Sequence, residues 1–219
     1  MGTLSTQIGQ NVRERLAALN LSLEEEQIRK CVLRRFATNG KPPTFKEIIE
    51  ELRLPSIAVV KQTIRKLQGA DTLSTSGEKI LTSYPFSAAE TSHRVAFIDG
   101  REVFALCTTD AIGVHFLLHE DITVFSRCPE CDEQLTIAMK NGQLSNCKPP
   151  GIIEFVSRRS QCGCNAVALC PYINFFCSSR HLAKWLERNI KQREGTIYSV
   201  DEVVEHGKAI YDDFFDDMK

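Results

Sequence analysis

Along residues 24–38 the apolar side chains Ile28, Val32, Leu33 and Phe36 fall on one face of a helical period. Gly40, Pro42 and Pro43 stop that helix. Thr44 and Glu47 then stand in the Thr-x-x-Glu pattern that caps a new helix, with Ile48, Ile49 and Leu52 as its apolar positions. After Pro55 and Ser56 a third amphipathic stretch places Ile57, Val60, Ile64 and Leu67 inward, with Gly69 beyond its end. The run TLSTSGEKILTSYP alternates around Ser76 and Gly77, which predicts a hairpin. Three helices followed by a hairpin is the order of a winged-helix-like unit, expected over 1–88, with a small polar boundary near 86–92.

From residue 94 the pattern changes to short apolar runs, RVAFI, EVFALC, ITVF, LTIAM and IIEFV. Asp99-Gly100 predicts a two-residue hairpin turn; Asn141-Gly142 and the run Lys148 to Gly151 mark two more turns. Residues 179–190 read as a helix with Leu182, Trp185 and Leu186 facing the core. Ser199 and Glu202 cap a last helix carrying Val203, Val204, Ile210 and Phe214. The expected fold class is α+β: the winged-helix-like N-terminal domain, then a mixed, largely antiparallel sheet domain with flanking helices over 89–219.

Charge adds little to this picture. The 219-residue chain has a net charge of −1, which favours neither nucleic acid nor an anionic surface. The third helix offers Lys61, Arg65 and Lys66, whereas the preceding helix carries Glu47, Glu50 and Glu51; three cations without a clear basic face read as solvated surface, so DNA binding is not expected. No apolar run approaches the roughly 20 residues of a spanning helix. The polar, periodic N-terminus lacks a secretory signal's apolar core; its first six residues fit only the short, loose myristoylation pattern. A cytoplasmic setting without membrane attachment is expected.

Cysteine changes the picture. Nine occur, at 31, 107, 128, 131, 147, 162, 164, 170 and 177. In a reducing compartment, clustered thiols point to metal binding or catalysis rather than disulfides. An apolar strand runs into Cys107, and a helix beginning there would put Cys107 and Asp110 on one face. The helix dipole would favour the thiolate, and a dry pocket would let the carboxylate accept the thiol proton. A buried core cysteine beside a helix-capping aspartate fits the same spacing.

The segment REVFALCTTDAIGVHFLL resembles the strand–Cys-x-x-Asp–helix motif of the organomercurial (alkylmercury) lyase family, and VALCPYINFFCS resembles its second cysteine segment, with Cys170 five positions before Phe175. The resemblance extends over roughly 25–215. It implies protonolysis of carbon–mercury bonds, with Cys107 and Cys170 as thiolate ligands of the soft metal and Asp110 as proton carrier. It implies no organic cofactor, Hg(II) held by Cys107 and Cys170 as product, and low-molecular-weight thiols or a mercuric reductase as acceptor of the ion. Cys128 resembles a non-catalytic cysteine of the family, whereas Cys131, Cys147, Cys162, Cys164 and Cys177 look additional. Cys128, Cys131, Cys162 and Cys164 could form a four-thiolate zinc site, with Cys147 in reserve. The alternative function is a thiol-rich metal-binding regulator or sequestering protein without lyase activity. His115 and His119, four apart, are read as solvated or ordinarily hydrogen-bonded, and Trp185 as core.

Overall fold

The computed structural model describes residues 12, 15–157, 170–212 and 214. Helices α1 (Leu23–Asn39), α2 (Phe45–Leu52) and α3 (Ile57–Gly69) form the N-terminal part. Ser22 and Glu25 close the start of α1 in a reciprocal capping box; Thr44 and Glu47 do the same for α2, as their spacing predicts. Ile28, Val32, Leu33 and Phe36 are all buried. Gly40 ends α1 in the left-handed region, with φ at 66°. A Cβ there would come within 2.7 Å of the Glu102 carbonyl oxygen, so the helix end docks directly on backbone. Two details differ from expectation. Ile57 is 40% exposed, because the apolar stripe of α3 meets the core only from Val60 onward, and Gly69 is the last helical residue rather than the one beyond.

The hairpin of β1 (Leu73–Ser76) and β2 (Lys79–Ser83) turns through Gly77, as the alternation predicts. It does not stand apart. Strand β2 pairs with β3 (Phe86–Ser87), and β3 pairs with β5 (Glu102–Ala105). One sheet therefore runs across residue 88 and joins the two halves of the chain. It continues through β4 (Arg94–Phe97), β6 (Ile122–Arg127), β7 (Gln134–Lys140) and β8 (Gln143–Lys148), in the order β1-β2-β3-β5-β4-β6-β7-β8. All its pairings are antiparallel.

The β4–β5 turn is one residue longer than expected. Phe97 donates to the Arg101 carbonyl, leaving Ile98, Asp99 and Gly100 as a three-residue loop with Gly100 at φ 88°. The Asn141-Gly142 turn between β7 and β8 has two residues, both at positive φ, as the sequence predicts.

A second antiparallel sheet, ordered β10-β9-β11, is built from β9 (Ile153–Ser157), β10 (Ile173–Phe176) and β11 (Gly195–Ser199). Helix α4 (Thr108–Leu118) lies between the sheets, against β4, β5, β6 and β10, and packs along the last helix, α6 (Val200–Tyr211). Every residue from Thr108 to Leu117 is buried, which accounts for a helix apolar on all sides rather than along one stripe. Helix α5 (Ser179–Arg188) covers the end of β10; its Leu182 is buried, while Trp185 is half-buried with its ring against Phe155 and Phe176. No helix among the described residues is long and apolar enough to cross a membrane.

Candidate active site

Strand β5 leads into Cys107, whose extended backbone makes it the N-cap of α4. Its sulfur accepts from the Asp110 amide at 3.4 Å, and its thiol donates to Asp110 Oδ2 at 3.1 Å. Cys170 opens a short 3-10 turn (Cys170–Tyr172) ahead of β10, and its thiol faces the same oxygen at 3.9 Å. The two sulfurs and the carboxylate all lie within 4.8 Å of one another. All three side chains are buried. The three residues singled out from sequence thus converge on one point.

Two tyrosines complete the cluster. The Tyr211 hydroxyl, at the end of α6, donates to Asp110 Oδ1. The Tyr84 hydroxyl lies 3.5 Å from the Cys170 sulfur. Gly113 makes room for the first contact: a Cβ there would fall 2.1 Å from the Tyr211 ring. Below the cluster, Glu154 on β9 accepts hydrogen bonds on Oε1 from the Thr108 and Thr109 hydroxyls, at 2.5 and 2.8 Å. Its other oxygen has no partner among the described residues.

Burial sets the electrostatics. It pushes the Asp110 carboxyl up to about 6 against the hydrogen bonds from Tyr211, Cys107 and Cys170, which favour the anion. Glu154 is driven up to about 7, again by burial, with the Thr108 and Thr109 bonds opposing. The Cys107 thiol lies well above its ordinary range, owing to burial first and then to Cys170 and Asp110. This corrects the expectation that the helix N-terminus would favour its thiolate: desolvation outweighs the dipole. Cys107 rests as a thiol beside a carboxyl whose proton affinity has been raised toward it.

The remaining candidates divide. Cys128 and Cys131 come together not with Cys147, whose thiol faces the Pro149 carbonyl, but with Cys177 and His181. Cys162 and Cys164 lie outside the described residues. Cys31 is buried in the core, its thiol pushed up to about 12 mainly by desolvation. His115 is structural. Its Nε2 accepts from the Gly142 amide, so its Nδ1 carries the proton donated to the Glu120 carbonyl. His119 is an exposed helix cap, so the two histidines form no ligand pair. On α3, Lys61 pairs with Glu78 and Lys66 with Glu25.

Tyr84, Tyr211 and Glu154 were not singled out from sequence. The tyrosines stand 86 and 101 positions from their partners, and only Glu154 left a signal, as the one charge inside the apolar run IIEFV.

A search of curated protein sequences returned no match. A crystal structure of the mercury-bound form of MerB2 superposes with a TM-score of 0.76 at 20% identity, covering 94% of this chain and 98% of that one, which establishes a shared fold. The sequence model of the alkylmercury lyases matches residues 86–212, a span that holds Cys107, Asp110, Cys170 and Tyr211 and more than half of the chain. The chain belongs to the alkylmercury lyase family.

Proposed function

We propose that Cys107, Asp110 and Cys170 carry out the family's reaction, protonolysis of the carbon–mercury bond of an organomercurial. The observation that supports this most is the shared contact of both thiols with Asp110 Oδ2. Thiolate sulfur is the preferred ligand of a soft metal, while a carboxylate adds nothing to mercury affinity that a third sulfur would not supply better. Its place between the thiols suits proton transfer.

The overall change balances as RHgX plus two thiols giving RH, HX and Hg(II) bound to two thiolates. Asp110 takes the proton of the nearer thiol, Cys107, whose sulfur then displaces X from mercury. Cys170 adds as the second sulfur ligand, its proton leaving with X as HX, and raises electron density on the carbon. Asp110 returns a proton to that carbon, the carbon–mercury bond breaks, and the hydrocarbon departs. Tyr211 holds the carboxylate in place throughout, through the bond to Oδ1. The reaction needs no organic cofactor. Low-molecular-weight thiols or a mercuric reductase would remove the ion, and a cytoplasmic setting would keep the thiols reduced. The paired charges on α3 argue against DNA as a partner.

The test is incubation with phenylmercury or methylmercury and detection of benzene or methane. Wild type releases hydrocarbon, Cys107→Ser and Cys170→Ser release none, and Cys31→Ser releases it normally. Mercury binding without hydrocarbon from the wild type would instead establish the sequestering protein or regulator.

A further inference from the structure

A second cluster lies where the two sheets meet. Strand β6 ends at Arg127, and the chain turns through Cys128-Pro129-Glu130-Cys131. The turn is closed by the Asp132 amide donating to the Cys128 carbonyl at 2.9 Å, with Asp132 in the left-handed region. Strand β10 lies against β6 and delivers Cys177 one residue past its end. Ser178 then caps α5, and the first turn of that helix presents His181. Four potential ligand atoms, three sulfurs and His181 Nδ1, all fall within 4.8 Å of one another.

The spacing is that of a coordination shell rather than of disulfides. The Cys177 sulfur is 3.7 Å from Cys128 and 3.7 Å from Cys131, far beyond the roughly 2.05 Å of an S–S bond. With zinc–sulfur bonds of about 2.3 Å, the edge of a regular tetrahedron is about 3.8 Å. His181 Nδ1 is hydrogen-bonded to Cys177 at 2.8 Å, and a modest ring shift would convert that contact into a ligand edge. Backbone geometry suits a thiolate as well. The amides of Cys177, Glu130 and Cys131 are directed at the Cys128 sulfur.

We propose that Cys128, Cys131, Cys177 and His181 form a structural zinc site, closed by four protein ligands, that ties the end of β6 to the corner between β10 and α5. Imidazole beside three thiolates is a zinc donor set, and four protein ligands leave no open position for chemistry. The site replaces Cys162 and Cys164 of the four-thiolate expectation with a cysteine and a histidine far from the Cys-x-x-Cys turn in sequence. It is independent of the proposed lyase reaction, since no ligand is shared with Cys107, Asp110 or Cys170.

Elemental analysis of the full chain, purified without chelator and gel-filtered after exposure to zinc sulfate, tests it. About one zinc per chain is expected, with an X-ray absorption shell of sulfur near about 2.3 Å and one nitrogen near about 2.0 Å. Cys131→Ser, at an exposed position, and His181→Ala should each weaken retention at least tenfold against a competing chelator. Cys107→Ser and Cys170→Ser should keep the ion. A zinc-free wild type overturns the proposal. So does zinc that survives His181→Ala but is lost in Cys162→Ser, or that is lost only in the Cys107 and Cys170 variants.

Discussion

In the proposed reaction the two oxygens of Asp110 have different duties. Oδ2 faces the thiols and Oδ1 is occupied by Tyr211. With the carboxyl up at about 6, it is ionised and able to take a proton only above that pH, so hydrocarbon release should fall as pH drops through 6. The Tyr211 bond stabilises the anion, so Tyr211→Phe should move this acid limb upward by about one unit, a change worth about 1.4 kcal/mol. A pH–rate profile of kcat/KM for both proteins measures it; superimposable profiles would remove Tyr211 from the proton path. Asp110→Asn should still bind mercury yet release hydrocarbon at least about a hundredfold more slowly. Equal rates in a single-turnover assay would exclude Asp110 as the carrier.

Helix α4 is where the elements impose their terms on the site. It meets α6 at Gly113, where the Tyr211 ring occupies the space a side chain would take. Gly113→Ala should therefore displace that ring, mimic Tyr211→Phe in the pH profile, and also lower thermal stability. A variant that is merely less stable, with an unshifted profile, would break the link. Beneath the same helix, Glu154 binds a proton more tightly in the folded chain, at about 7, than a free glutamate at 4.5. A group raised in this way contributes its full stability below pH 4.5 and loses it as pH rises through 7. For a fully buried carboxyl the loss is on the order of 3 kcal/mol. Glu154→Gln keeps an acceptor for Thr108 and Thr109 but cannot ionise. Its urea midpoint should decline less between pH 5 and pH 8 than that of the wild type, and parallel declines would contradict the assignment.

Over the whole molecule, what was legible in sequence is what local rules govern. Capping residues placed the helices at Thr44 and Ser199 because a cap and its partner are three positions apart. Cys107 and Asp110 could be paired for the same reason, being one helical turn apart. Resemblance to a family brought in Cys170, which no spacing could. Tyr84, Tyr211, Cys177 and His181 were not legible, because their roles arise from the meeting of the two sheets and α6, and sequence periodicity carries no record of that meeting. The turn at Ile98–Gly100 was misjudged by one residue because Asp-Gly serves two-residue and three-residue loops alike. The two-domain reading likewise could not foresee that β3 would stitch both halves into a single sheet.

The two sulfurs are mounted very differently. Cys107 caps a helix enclosed along its length, whereas Cys170 sits on a one-turn spiral leading into β10, a strand that among the described residues pairs on one side only. In the proposed reaction the first would serve as an anvil and the second as a jaw. When the spacing between the sulfurs must adjust, from a pair of free thiols to a grip on one ion, the travel falls to the jaw. Amide deuterium uptake should accordingly be faster, and change more when mercury is added, at 170–173 than at 108–117. Uniform protection over both stretches would mean that the grip was set before the metal arrived.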